Sequence, residues 1–137
     1  MGTFKDTDQL IAVIGGFIQK LASTPEIAQK MLASNLVFRL VYKDPEAVIV
    51  VDCLGDEARV RPGDTETEAA IELSMGADIA HKFWFGKVNL TMALTRRKMI
   101  AKGPIQKILK LLPVIKPAYA MYPKYLEENG FSEFNIY

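Results

Sequence analysis

The feature that most constrains the fold of this chain is a change in the spacing of its apolar residues. Near the N-terminus they recur every three or four positions, which is the spacing of one buried helix face. These residues are Leu10, Ile11, Ile14, Phe17, Ile18 and Leu21. From residue 36 to residue 54 the apolar residues instead form two short runs rich in β-branched and aromatic side chains, which favour strands. One core must therefore bury both a helix stripe and a strand face, which predicts an α+β domain.

Turn signals divide the middle of the chain into strands. Lys43-Asp44-Pro45-Glu46 separates the first two runs and predicts a hairpin, and Pro62-Gly63-Asp64 ends the third run. The five predicted strands cover residues 36–42, 48–54, 57–61, 69–75 and 98–102. We expect them to form one five-stranded sheet, mixed but mostly antiparallel, with helices packed on one face.

The first two helices carry recognisable start signals. Asp6, with Gln9 three residues later, resembles a capping box, and Thr24-Pro25-Glu26 marks the start of a second helix that ends near Asn35. The pair Gly15-Gly16 lies inside the first helix, and each Gly weakens a helix by about 1 kcal/mol relative to Ala. We therefore expect tertiary packing to hold this helix together.

Later helices are predicted at residues 77–85, at 90–94 and from Pro104 to Leu112. Beyond them, prolines are expected to break the chain into short pieces that form a bent terminal helix through Glu128. These prolines are Pro113, Pro117 and Pro123.

The size and ends of the chain suggest a simple organisation. A length of 137 residues is typical of one domain, which predicts a single domain over residues 1–137. The single Cys53 cannot form an internal disulfide. No stretch approaches the roughly 20 apolar residues that span a bilayer, and the N-terminus is charged where a signal peptide would be apolar. These features predict an intracellular, cytoplasmic protein.

Residues that could do chemistry are few. One His and one Cys do not supply a zinc site, and the sequence has no glycine-rich phosphate loop. Nucleophilic catalysis would need a base beside a Ser or Cys, and His81 is the one candidate. Its place in a helix instead predicts a surface or boundary position, and Cys53 is expected to be a small core residue. We therefore predict no catalytic residue, no metal and no cofactor.

The charges are segregated along the chain although the formal net charge is only +1. Residues 44–78 contain ten acids and two bases, whereas residues 79–124 contain ten bases and no acid. One interpretation is that the two segments neutralise each other across the fold. The other is a basic face for an anionic partner such as a lipid headgroup, a membrane surface, a phosphate or a nucleic acid.

The order of elements from residue 69 to residue 103 resembles the sterol carrier protein-like (sterol-binding) domain. A strand, AAIELSM, is followed by the helix DIAHKFW, which Phe85-Gly86-Lys87 closes. A short helix from Asn89 to Leu94 and the strand KMIAK, ending at Gly103, complete the pattern. The upstream segment LVFRLVYKDPEAVIVVDCLGDEARVRPG resembles the family's opening strands. The resemblance covers most of the chain through apolar spacing and not through a catalytic signature.

Two residue patterns depart from that family. Pro104 stands where a polar residue, often Asp, commonly follows the final Gly. The last residues, Phe134-Asn135-Ile136-Tyr137, are no Ser-Lys-Leu-like peroxisomal address, which argues against peroxisomal import. The ligand is left open by this resemblance, since sterol itself is an assumption.

The resemblance implies a hydrophobic tunnel between sheet and helices that takes a sterol, a fatty acid or an acyl-coenzyme A. An apolar tunnel suits the residues, because hiding an acyl chain from water stabilises a complex by roughly 0.8 kcal/mol per methylene without directed bonds. The candidate wall residues are Phe83, Trp84, Phe85, Leu90, Met92, Leu94, Ile105, Ile108, Leu109, Leu112 and Met121.

A basic segment surrounds these candidates and is predicted to contact an anionic headgroup or membrane. Its residues are Arg96, Arg97, Lys98, Lys107 and Lys110. The helix at residues 105–112 could serve as a lid, with Lys107 and Lys110 turned towards the membrane.

Two alternatives to a non-catalytic lipid carrier remain open. The first is an interaction module in which Phe83 to Phe85 and the last helices form a homodimer or dock on an enzyme. The second is a nucleic-acid binder that combines basic residues with stacked aromatics. The second has less support, because several of the lysines alternate with Leu and Ile that must be buried.

Overall fold

The computed structural model describes residues 2–137. Its strands are β1 Val37–Lys43, β2 Ala47–Asp52, β3 Arg59–Pro62, β4 Ile71–Gly76 and β5 Met99–Lys102. Its helices are α1 Thr7–Leu10, α2 Gly16–Ser23, α3 Pro25–Ser34, α4 Ala77–Trp84, α5 Leu90–Thr95, α6 Ile105–Ile108 and α7 Leu112–Glu128. A π-helical turn, Ile11–Gly15, joins α1 to α2, and a 3₁₀ turn, Leu109–Leu111, joins α6 to α7. The predicted α+β class with a five-stranded mixed sheet is confirmed.

The five strands lie in the order β3-β2-β1-β4-β5. β1 and β2 form the predicted antiparallel hairpin, and β2–β3 and β4–β5 are also antiparallel. β1 and β4 pair in parallel, with Phe38 opposite Ile71 and Tyr42 opposite Met75. Among the described residues, no helix has both the length and the apolar composition needed to cross a membrane.

The two faces of the sheet differ in polarity, because side chains alternate along each strand. Phe38, Leu40 and Tyr42 of β1 are buried beneath the helices. Arg39, on the other face, pairs with Glu72 of β4 at 3.4 Å and donates a hydrogen bond to the backbone carbonyl of Thr67. The core therefore lies between one face of the sheet and the helices.

Ion pairs neutralise little of the basic segment. The Lys102 ammonium lies 3.6 Å from Glu72, which links the basic segment to the acidic one across β4 and β5. Within residues 2–137, Lys102 is the one base of residues 79–124 that forms an ion pair. The other nine cations form no ion pair with an acid in the described part of the chain, so their charges are not neutralised by close contacts there.

The prediction that prolines break the C-terminal helix into short pieces is wrong. Pro117 and Pro123 lie inside the 17-residue helix α7, which ends at Glu128 as expected. Each proline removes one backbone hydrogen bond from the helix. Buried residues such as Ala118, Tyr122 and Leu126 pack α7 against the core, and this packing holds the helix together despite the missing bonds.

The N-terminal helix is capped as predicted, and Tyr125 of α7 packs against its interior. The Asp6 carboxylate accepts a hydrogen bond from the backbone N–H of Gln9 at 2.8 Å. The Tyr125 hydroxyl donates to the Val13 carbonyl at 2.9 Å, inside the π-helical turn. A Cβ on Gly16 would lie 2.4 Å from that hydroxyl oxygen. The absence of a side chain at Gly16 therefore leaves the space in which the Tyr125 hydroxyl contacts the helix backbone.

Replacing Gly16 by Ala should lower the free energy of unfolding by about 1–3 kcal/mol, because the buried Tyr125 ring must shift. In a Tyr125→Phe background the same substitution should instead be neutral or stabilising, by up to about 1 kcal/mol, because Ala is the better helix former. Urea denaturation of the four proteins in this double-mutant cycle measures the change. An equal loss in both backgrounds would contradict the proposed clash with the hydroxyl.

Candidate functional site

A largely enclosed apolar cavity lies between the inner face of the sheet and the helices. Its volume is about 70 Å³. Strands β1, β4 and β5 form its floor through Phe38, Leu40, Tyr42, Leu73, Met75 and Met99. Helical segments form its walls through Ile18, Leu21, Met31, Ala80, Phe83, Trp84, Leu90, Ile108, Leu111, Val114 and Ile115.

The wall is almost entirely hydrocarbon. Among the described residues, Tyr42 and Trp84 are the lining side chains with a hydroxyl or N–H group. Burial raises the pKa of Tyr42, so its hydroxyl is neutral at ordinary pH. A ligand in this cavity would gain binding free energy from apolar burial and little from directed bonds.

The cavity is smaller than the roughly 300–1,000 Å³ typical of pockets for drug-sized ligands. A long acyl chain would therefore have to displace side chains of the wall. Met31, Met75 and Met99 all line the cavity, and methionine is unbranched with three rotatable bonds. These side chains can change rotamer more readily than branched ones, so both the floor and the helical wall can adapt to ligands of different shape.

Four of the predicted wall residues line the cavity, namely Phe83, Trp84, Leu90 and Ile108. Adjacent residues on a helix point in different directions, and Phe85 packs away from the cavity against Tyr122, with ring centroids 5.0 Å apart. Leu94 and Met121 are half-buried against the core outside the cavity wall.

In the segment after Pro104, the residues that face the core differ in part from those that the predicted apolar stripe contained. α6 has one turn and continues as a 3₁₀ turn, in which residues three apart share a face. Ile108 and Leu111 therefore point into the cavity, while Ile105 and Leu109 are 54% and 51% exposed. Met92 of α5 is exposed as well.

The strand residues of the cavity floor were missed by sequence reasoning, although a signal for them existed. Phe38, Leu40 and Tyr42 alternate along β1 with Arg39, and Arg39 marks the outer face. The same alternation places Leu73 and Met75 of β4 on the inner face and Glu72 on the outer face. A charged residue within an otherwise apolar strand thus indicated which side chains face inwards.

An open groove of about 450 Å³ adjoins the cavity. Leu90 lines both spaces, so the groove and the cavity meet at this residue. Its lining comes from the segment between Gly86 and Thr91, which includes the start of α5, and from Leu109, Leu112, Lys116 and Tyr119. Lys87 and Lys116 are the charged residues that line it among those the structure describes.

The predicted headgroup residues lie at the surface outside both spaces. Arg96, Arg97 and Lys98 are exposed around the turn that follows α5. Lys107 and Lys110 are exposed on α6 and on the 3₁₀ turn beside it. None of the five is among the residues that line the cavity or the groove.

His81 is completely buried, so the predicted surface or boundary position is wrong. Its Nε2 lies 2.8 Å from the Phe134 carbonyl, which can only accept, so Nε2 carries the proton. Its Nδ1 then accepts from the Tyr122 hydroxyl at 2.8 Å. Burial lowers the pKa of His81, although the Phe134 carbonyl and Asp78 partly oppose this. His81 is a neutral, fully bonded core residue that lies outside the cavity wall.

Cys53 is buried, as predicted for a core residue. Burial raises the pKa of its thiol to about 11, so the reactive thiolate is scarce at neutral pH. Within residues 2–137, no group of three or more His, Cys, Asp and Glu side chains is placed to hold a metal ion.

Comparison with known proteins identifies the fold through structure and not through sequence. No protein-family model matches the sequence. No curated protein matches it either. Solved structures do match the fold of this chain.

Three of these structures illustrate the match. Sterol carrier protein 2 from Yarrowia lipolytica, in its apo form, is 19% identical over 77% of this chain and 89% of its own, with a TM-score of 0.62. Sterol carrier protein domain 2 of Helicoverpa armigera is 14% identical over 77% and 87%, with a TM-score of 0.64. The palmitated sterol carrier protein 2-like 2 from Aedes aegypti is 20% identical over 59% and 72%, with a TM-score of 0.50.

The chain is thus an α+β domain with an apolar cavity between its sheet and its helices. Its fold is that of the sterol carrier protein 2 domain, as the resemblance of residues 69–103 predicted. Identities of this size show the fold alone, so the ligand has to be argued from the cavity.

Proposed function

We propose that the protein binds and carries a single-chain lipid, a fatty acid or an acyl-coenzyme A, without catalysis, and that the chain occupies the apolar cavity. The observation that carries this proposal is the cavity wall itself, which is apolar apart from the Tyr42 hydroxyl and the Trp84 N–H. Each methylene buried there stabilises the complex by roughly 0.8 kcal/mol. A neighbour of the same fold is palmitated, which favours an acyl chain over a sterol for a cavity this small.

A lipid carrier also has to load and release its ligand. The segment from Ile105 to Leu111 covers the cavity through Ile108 and Leu111, and it exposes Ile105 and Leu109. Lys107 and Lys110 lie on the same exposed segment. This combination of apolar and cationic side chains suits an anionic membrane surface, so the segment is the proposed lid and membrane contact.

The main alternative is an interaction module. It would use the cluster from Phe83 to Phe85 as a contact surface, but Phe83 is buried and Trp84 and Phe85 are half-buried inside their own chain. Phe17 packs against Trp84 with ring centroids 5.2 Å apart. The aromatic cluster therefore offers little free surface to a second protein, and two of its three residues, Phe83 and Trp84, line the cavity instead.

Trp84 provides a direct test, because it is the single tryptophan and it lines the cavity. Adding dibrominated stearic acid should quench most of its fluorescence, since bromine quenches an indole only at close range. Unbrominated stearic acid should bind without comparable quenching. A titration of emission against each fatty acid measures both the affinity and the contact.

A Trp84→Phe/Leu54→Trp variant is the matched control, because Leu54 is exposed and lies outside the cavity wall. Its emission should not respond to the brominated acid. Equal quenching of both proteins would indicate adsorption to the surface. No response of wild type, together with a lipid-free mass in native mass spectrometry, would reject lipid carriage and favour the interaction module.

A further inference from the structure

We propose that the groove beside the cavity binds the anionic headgroup of the lipid, a carboxylate or a phosphate, through Lys87 and Lys116. This inference rests on the proposed function, because it requires the acyl chain to occupy the cavity. It assigns the headgroup contact to two lysines that the charge pattern alone did not single out from the other bases of residues 79–124.

The groove lies where the head of an amphiphile would emerge. Leu90 lines both spaces, so a chain inserted past Leu90 leaves its polar end in the groove. A carboxylate placed inside the hydrocarbon cavity would lose its hydration without gaining hydrogen bonds. The ligand is therefore oriented with the chain inwards and the charged head outwards.

A close backbone contact fixes the position of Lys87. Gly86 has a φ of +75°, and a Cβ built there would lie 3.4 Å from the Tyr119 ring. Glycine allows both the left-handed backbone and the close approach to the ring. The loop therefore rests on α7 at this point, and the next residue, Lys87, lies at the rim of the groove.

Lys116 of α7 also lines the groove. Leu112, Lys116 and Tyr119 are four and three residues apart on α7, so they share one face of the helix. Leu112 and Tyr119 can contact the first methylenes of an acyl chain, and the Lys116 ammonium can contact its charged head. The two lysines thus line one groove from two separate segments of the chain.

The charges of both lysines are available to a ligand. Neither forms an ion pair with an acid in the part of the chain that the structure describes. No Asp or Glu lines the groove among those residues. Since both side chains are exposed, each contact alone is modest, so both charges have to be reversed together to produce a large change in affinity.

The test compares Lys87→Glu/Lys116→Glu with Arg96→Glu/Arg97→Glu. Both double variants change the net charge equally, but Arg96 and Arg97 line neither space. Binding of palmitate and of its neutral analogue methyl palmitate is measured for each protein. The lysine variant should bind palmitate roughly tenfold more weakly than wild type and should retain its affinity for methyl palmitate. The arginine variant should bind both ligands like wild type.

Other outcomes overturn the assignment. Unchanged palmitate binding by the lysine variant would reject it, and weaker binding by the arginine variant alone would place the headgroup at the turn after α5. Parallel loss of both ligands would mean that the cavity was damaged, and wild type that binds neither ligand would reject the proposed function itself. Palmitoyl-coenzyme A distinguishes the two head chemistries, because a larger loss than for palmitate would identify phosphate as the preferred group.

Discussion

Replacing His81 by Phe should lower the free energy of unfolding by about 2–5 kcal/mol, even though the ring is replaced by one of similar size. The substitution leaves the Tyr122 hydroxyl and the Phe134 carbonyl without their partner in a buried site. Each unsatisfied buried group costs about 1–3 kcal/mol. Urea denaturation of wild type and His81→Phe at pH 7.5 measures the loss.

A second substitution separates the hydrogen bonds from packing. In the His81→Phe background, Tyr122→Phe removes the orphaned hydroxyl and should restore about 1 kcal/mol. In wild type, the same change should destabilise the protein, because there the hydroxyl donates to Nδ1. If Tyr122→Phe has the same effect in both backgrounds, the bond between His81 and Tyr122 does not contribute to stability.

The lowered pKa of His81 also makes stability depend on pH. When the pH falls below 6.5, the ordinary pKa of histidine, His81 is protonated in the unfolded chain but remains neutral in the folded protein. The advantage of wild type over His81→Phe should be complete above that pH. As the pH is lowered further, the difference in unfolding free energy should decrease by up to about 1.4 kcal/mol per pH unit until the pKa of His81 in the folded protein is reached. Carboxylates titrate in both proteins, so their contribution to the pH dependence cancels in the difference.

His81 illustrates a limit of reading the sequence alone. It occurs in the helix α4, beside Lys82, where the local pattern gives no sign of complete burial. Its environment is made by Phe4 near one end of the chain and Phe134 near the other, with ring centroids 5.5 and 6.2 Å from the imidazole. Contacts between such distant residues leave no local periodicity, so the burial could not be predicted.

Local patterns predicted the secondary structure well where a period or a turn signal marked it. The hairpin of β1 and β2, the cap at Asp6 and the end of α7 at Glu128 all follow from nearby residues. The parallel pairing of β1 with β4 depends on segments about thirty residues apart, and no local signal specifies that partner.

The candidate site was predicted in part for the same reason. Phe83 and Trp84 were recognised because aromatic residues are conspicuous, and both line the cavity. Ile108 and Leu111 are three residues apart and both line the cavity, whereas the predicted stripe combined Ile108 with Leu109 and Leu112 and so placed the inward face one residue too far along the chain. Lys87 was one of ten bases in its segment, and only the adjoining cavity distinguishes it from the others.

Replacing Gly103 by Ala should lower the free energy of unfolding by about 3–5 kcal/mol, which is a large effect for one methyl group. Gly103 has a φ of +113°, and an added Cβ would lie 2.5 Å from the backbone oxygen of Ala70. That backbone cannot easily move, because the N–H of Ala70 bonds to the Val37 carbonyl at 2.9 Å, where β4 begins to pair with β1. Denaturant unfolding measures the loss.

Gly63→Ala is the control for the backbone strain. Gly63 also has a positive φ, +80°, but no atom lies within 4 Å of a Cβ built there. Its substitution should cost only about 1–2 kcal/mol from the left-handed conformation. A similar loss at both positions would mean that the clash with Ala70 contributes nothing. The excess loss at Gly103 would instead explain in physical terms why β5 ends in glycine, since only glycine lets the chain pass so close to β4 on its way to α6.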